Sequence, residues 1–176
     1  MIDEDAFATF VRVQTGSLLR TAFLLTGTAN GAEELVQDTL VRLYPKWDRV
    51  ERADVAIAYV RRSMVNGFLN IKRRPASREV LLDVLPEPLY SADRRDIATA
   101  VGDRDLVWRL LGELPDRQRA ALVMRFFHDL NDDEIAESLN CRIGTVRSLI
   151  SRGLSALREL SAQSDRATAS SQRRLA

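Results

Sequence analysis

Apolar residues recur along this chain at steps of three and four, and no stretch alternates with the period of two that marks a half-buried strand. Phe7, Phe10, Val11, Leu18, Ala22 and Leu25 predict a helix over residues 5–26, with Gly16 as a weak point inside it. Gly27 to Gly31 predicts a turn. The next helix, residues 32–44, has an inward stripe of Val36, Leu40 and Leu43. Glu34, Gln37, Asp38 and Val41 fall on another of its faces. Pro45 and the polar run from Trp47 to Asp54 predict a connection, with Asp54 capping a helix over residues 55–74. Ile57, Val60, Met64, Phe68 and Ile71 face inward there, and Arg62, Asn66, Asn70 and Arg73 form a stripe on the opposite side. Pro75 ends it.

The pattern then fades. Residues 76–102 hold Pro86, Pro88 and scattered charge without a sustained period, the character of a tether between domains. Leu81, Leu82, Val84, Leu85 and Leu89 make it more apolar than a pure coil. Helical spacing resumes at residues 103–111 with Leu106, Val107, Leu110 and Leu111, and Leu114-Pro115 interrupts it. A helix over residues 116–128 follows, carrying Ala121, Leu122, Met124 and Phe127.

Residues 131–158 read as two helices joined by a tight turn. Asn131 and Glu134 have the spacing of a capping box, and Asp132 and Asp133 occupy the first turn, where the helix dipole favours negative charge. Ile135, Ala136 and Leu139 supply a short apolar stripe, and Asn140 suits a left-handed stop. In the second helix Val146, Ile150, Leu154 and Leu157 point inward. Its other side carries Arg147, Ser148, Ser151, Arg152 and Ser155, with no acid before Glu159. Such a face can lie in a major groove, with arginines reaching guanine edges or phosphates and serines reaching either. The bland alternative is a helical hairpin with a solvated basic face. After Leu160 the run SAQSDRATASSQRRLA is polar and small, which predicts a disordered tail over residues 161–176.

The fold class expected is therefore all-α, with two small helical domains, residues 5–75 and 103–160, joined by a flexible linker over residues 76–102. Composition narrows the chemistry. One cysteine, Cys141, excludes an internal disulfide and a cysteine-rich zinc site, and one histidine, His128, cannot build a histidine metal site or a Ser-His-Asp constellation. Neither an enzyme nor a cofactor is expected. No apolar run approaches the roughly 20 residues of a membrane span, and the acidic start MIDEDAF is unlike a signal peptide, so a cytoplasmic protein is expected. The formal net charge of +1 is uninformative, but its distribution is not. Arg61, Arg62, Lys72, Arg73, Arg74 and Arg78 fall in a stretch without a single acid, a local basic patch of the kind nucleic acid requires.

Three segments together resemble the extracytoplasmic-function sigma factors, members of the sigma-70 family that keep only regions 2 and 4. AEELVQDTLVRLYPKW is similar to the region 2 helix that docks on the clamp of RNA polymerase. AIAYVRRSMVNGFLNIKRR is similar to the part of region 2 that melts and reads the −10 element. LPDRQRAALVMRFFHDLNDDEIAESLNCRIGTVRSLISRGLSALREL resembles region 4 nearly end to end.

The resemblance implies an alternative sigma factor that binds core RNA polymerase and directs promoter-specific initiation. It makes Glu34, Gln37 and Asp38 candidates for core polymerase, and Arg61, Arg62, Asn66, Asn70, Arg73 and Arg74 candidates for −10 DNA. Arg142, Thr145, Arg147, Ser148, Ser151 and Arg152 become the −35 readers. Trp47 to Asp54 is where the family places its base-capturing loop. An anti-sigma factor is the further partner implied. Two positions depart from the family pattern: Asn70 stands where an acid is usual, and Arg142 where a small hydroxyl residue is usual. One rival is a helix-turn-helix regulator acting without polymerase, which leaves residues 32–47 and the Arg62/Asn66/Asn70/Arg73 stripe without a role; a second, a helical scaffold, adaptor or anti-sigma-type binding module, leaves the acid-free basic runs unexplained.

Overall fold

The computed structural model describes residues 3–51, 56–71 and 101–174, and every element among them is helical. The chain divides into two compact units, Met1–Val101 and Gly102–Ala176.

In the first unit, α1 spans Glu4–Thr26. Asp3 caps it by accepting from the Ala6 N–H at 3.0 Å, with Glu4 and Asp5 in the first turn. Gly27, at φ 78°, ends it in the left-handed conformation that glycine takes without steric cost. The expected five-residue turn is shorter than the sequence suggests. Thr28 already caps α2, Ala29–Leu43, by accepting from the Gly31 N–H at 3.1 Å. A Cβ on Gly31 would lie 2.7 Å from the Thr28 hydroxyl, so a glycine there gives the cap its room.

A 3-10 turn, Tyr44–Lys46, leads into a short helix α3, Trp47–Glu51, where a connection was expected. Burial of the indole explains the difference. Trp47 is 2% exposed and sits against Phe7 and Phe10, with ring centroids 5.1 and 4.8 Å away. Tyr44 meets Phe7 at 5.0 Å, so an aromatic cluster ties the start of α1 to the end of α2. Helix α4, Ala56–Ile71, packs on α1 and α2 and buries Val60, Met64, Val65 and Phe68. Its proposed cap, Asp54, and the cations Lys72, Arg73, Arg74 and Arg78 lie outside the described residues. So do residues 76–100 of the expected linker.

The second unit begins with α5, Val101–Gly112, followed by α6, Asp116–Phe127. Arg119 is only 6% exposed. Its guanidinium donates to the carbonyls of Gly112 at 2.5 Å and Leu114 at 3.0 Å, closing the end of α5 from inside the fold. Burial pushes the Arg119 pKa down, and Asp116 and Glu113 oppose that shift. Helix α6 buries an unbroken run from Arg119 to Met124. Phe126 and Phe127 are exposed at its end, although Phe127 continues the apolar spacing of Ala121 and Met124.

Helix α7, Asp132–Leu139, starts with the capping box read from the sequence. Asn131 Oδ1 accepts from the Glu134 N–H at 3.0 Å, and Glu134 Oε2 accepts from the Asn131 N–H at 2.8 Å. It ends at Asn140, φ 46°. There the Cys141 N–H reaches the Ala136 carbonyl at 3.0 Å and the Asn140 N–H reaches that of Glu137 at 3.3 Å, a Schellman closure. Helix α8, Ile143–Arg174, packs against α6 and α7. It runs through most of the segment expected to be a disordered tail. Nothing in SAQSDRATASSQRR is a helix breaker, since it has neither proline nor glycine, and its alanines, glutamines and arginines favour helix.

Candidate nucleic-acid interface

Helices α7 and α8 and the three residues between them form a helix-turn-helix whose outer face is built by local rules. The turn is closed by the Arg142 carbonyl, which accepts from the N–H groups of Thr145 at 2.8 Å and Val146 at 3.2 Å. Val146 is fully buried, which sets the rotation of α8. With Val146 inward, Arg147, Ser148, Ser151, Arg152 and Ser155 all emerge exposed, as do Arg142 and Thr145 at the helix entry. All six predicted −35 residues are thus exposed.

That surface is also tied to its support. Arg147 donates from Nε to Asp132 Oδ2 at 2.9 Å, while Arg125 pairs with Asp132 Oδ1. Arg125 in turn donates from Nη1 to the Leu130 carbonyl at 2.9 Å. Beside these charges lies an open groove lined by Phe126, Arg147, Ile150, Leu154 and Arg158 among others. The rotation of α8 depends on close packing as well: a Cβ on buried Gly153 would lie 2.9 Å from Leu122 Cδ1. None of Asp132, Arg125 or Gly153 stands out in the sequence as part of this surface. The one signal in the sequence is Asp132 as the first of three acids in the first turn, which reads as dipole compensation alone.

A match to the model for sigma-70 region 4 covers residues 104–157, from α5 into α8. Over 154 residues the chain is 34% identical to the RNA polymerase sigma-E factor of Streptomyces coelicolor, covering 87% of this chain and 84% of that protein. The chain belongs to the extracytoplasmic-function sigma factors. It is 25% identical to the ECF RNA polymerase sigma factor SigW of Bacillus subtilis, covering 89% of each. The co-crystal structure of the sigma factor RpoE with the anti-sigma factor NepR from Bartonella quintana superposes with a TM-score of 0.64 at 25% identity. That match covers 89% of this chain and 97% of RpoE.

The first unit of this sigma factor carries two further surfaces. On α2, Glu34, Gln37 and Asp38 are all exposed on the face opposite the buried Leu35, Val36 and Thr39. Val41 shares that face and is 71% exposed, an apolar centre beside acidic and amide groups. On α4, Asn70 is exposed and Arg62 and Asn66 are half-buried, in one stripe. Arg61 contacts the neighbouring helix α1. It leans inward and donates from Nη2 to Ser17 Oγ at 2.9 Å, which ties α4 to α1. Burial lowers its pKa and the nearby Arg20 charge lowers it further. Arg73 and Arg74 lie outside the described residues. Cys141 is half-buried in the turn and His128 closes α6. No helix among the described residues is long and apolar enough to cross a membrane.

Proposed function

We propose that this sigma factor is a cytoplasmic, non-catalytic initiation factor that joins core RNA polymerase and reads promoter DNA with two separate surfaces. Residues 5–75 serve as region 2. Glu34, Gln37 and Asp38, grouped around Val41, meet core polymerase, and Arg62, Asn66, Asn70, Arg73 and Arg74 meet the −10 element, with Arg61 as the inward-leaning member of that set. Melting needs cations along the backbone and polar groups that hold unstacked bases, and a stripe alternating guanidinium and amide groups supplies both. Residues 103–160 serve as region 4. Residues 76–102 link the two, and residues 161–176 extend beyond the matched region 4.

The observation that carries the DNA assignment is the exposed Arg147–Ser148–Ser151–Arg152 face on a helix whose rotation is set by buried Val146. The sigma relatives favour a role with polymerase over that of an operator-binding regulator, and the RpoE–NepR complex supports an anti-sigma partner for this chain as well. Neither surface needs to bind tightly alone, because tethering raises the effective concentration of the second contact once the first has formed.

The experiment mixes the purified chain with bacterial core RNA polymerase, follows comigration on size exclusion and assays run-off transcription from genomic promoter fragments. Comigration with promoter-specific product is the expected result. Binding to free DNA without polymerase association or transcript would overturn the proposal.

A further inference from the structure

We propose that Asp132 is a specificity-determining positioning residue, holding Arg147 by its Nε edge so that the two Nη groups address a single guanine in the upstream promoter element. The inference rests on the −35 assignment above and deepens it.

Asp132 opens α7 and does not belong to the reading face of α8. Its carboxylate is 23% exposed, whereas the Arg147 side chain is 73% exposed. Each carboxylate oxygen holds a different arginine: Oδ2 accepts from Arg147 Nε at 2.9 Å, and Oδ1 pairs with Arg125. Arg125 is itself anchored to the Leu130 carbonyl at 2.9 Å. The support therefore runs from α6 through the loop before α7 to the exposed tip of Arg147.

Two consequences follow from this arrangement. A guanidinium has five N–H donors, and one engaged through Nε keeps four on its planar Nη edge. That edge is the fork that meets O6 and N7 of guanine in a bidentate pair, and no other base offers two acceptors in that place. An arginine already held in a fixed direction also has less freedom to lose on binding than a free one. The second consequence concerns charge. An unpaired carboxylate at this edge would repel phosphates, but between two arginines it leaves a local excess of positive charge.

The test uses the full chain assembled with core RNA polymerase and a duplex DNA pool randomised across the upstream element, with the bound fraction sequenced. The wild type is expected to enrich guanine at one position by about tenfold or more over other bases, the range of one bidentate pair. Arg147→Ala should erase that preference and leave the others. Asp132→Ala should cut the preference at the same position to below about threefold while other positions keep theirs, because the fork is then undirected. Asp132→Asn, which keeps the shape and one acceptor oxygen, should fall between.

A purely structural role for Asp132 would weaken all positions together, and that outcome would overturn the proposal. So would an unchanged guanine preference in Asp132→Ala, or, if that variant fails to assemble, in Asp132→Asn. If the wild-type holoenzyme enriched no upstream motif at all, the −35 assignment itself would fall, and this inference with it.

Discussion

Arg119 and Asn131 answer the same local problem, helix ends whose backbone groups have no partner, by different means. Asn131 does so with a neighbour three residues away, in the reciprocal pair with Glu134. Replacing Asn131 with Ala removes the side-chain half of that pair and should cost about 1 kcal/mol. In a unit of this size that corresponds to a drop of roughly 4–8 °C in the unfolding midpoint. Calorimetry on the full chain would register it as a shift in the transition of the second unit, and an unmoved transition would mean that packing alone holds α7. Arg119 instead reaches back to the carbonyls of Gly112 and Leu114 from within the core. Arg119→Met preserves most of the volume and removes the donors. Leaving the buried Leu114 carbonyl unpaired costs about 1–3 kcal/mol, which a urea titration would show as a lower midpoint with an unchanged slope.

Among the helices, glycine has opposite meanings in α1 and α8. Gly16 lies on the exposed side of α1, and beyond the adjoining helix backbone the nearest atom to a Cβ there would be the end of the Arg20 side chain, at 4.0 Å. Gly16→Ala should therefore stabilise the first unit by up to about 1 kcal/mol through helix propensity. Gly153→Ala should do the reverse in the second unit. Its added methyl would meet Leu122 at 2.9 Å, and overpacking of this kind costs roughly 1–3 kcal/mol. Thermal melts of the two variants beside the wild type would check the pair, and a shift in the same direction for both would contradict the packing assigned to α6 and α8. Because Gly153 follows the proposed reading residues Arg147 to Arg152 on one helix, displacing α8 should also weaken upstream DNA binding.

Across the whole chain, the two compact units put the proposed polymerase face and the upstream reading face on different bodies. Their functions should then separate by mutation. Arg152→Ala should weaken binding to upstream DNA, lower the slope of log K against log salt by about 1 if Arg152 meets a phosphate, and leave comigration with core polymerase intact. Gln37→Ala combined with Asp38→Ala should damage comigration and leave DNA binding by α8 unchanged. Equal damage to both activities by either set would defeat the two-surface assignment.

What the sequence determined by itself was much of what neighbours within about one turn of helix set, though not the Thr28 cap of α2. The Asn131–Glu134 box, the left-handed Asn140 and the helical periodicity depend on local backbone chemistry, so they could be read before any fold was known. The exposed cationic face of α8 was legible for the same reason, since burying Val146 dictates where Arg147, Ser151 and Arg152 must point. Helix α8 continues beyond Leu160 because polar composition alone does not stop a helix when no breaking residue is present. The tertiary structure alone decided contacts between distant positions. Trp47 became a buried anchor because Phe7 and Phe10 of α1 surround it. Arg61 turned inward because Ser17, 44 residues earlier, offered an acceptor. Arg147 gained a fixed direction because Asp132, 15 residues before it, lies beside it in space. Spacing along one helix says which face a side chain occupies, but its partners across the fold depend on how helices pack, and that is a property of the assembled core.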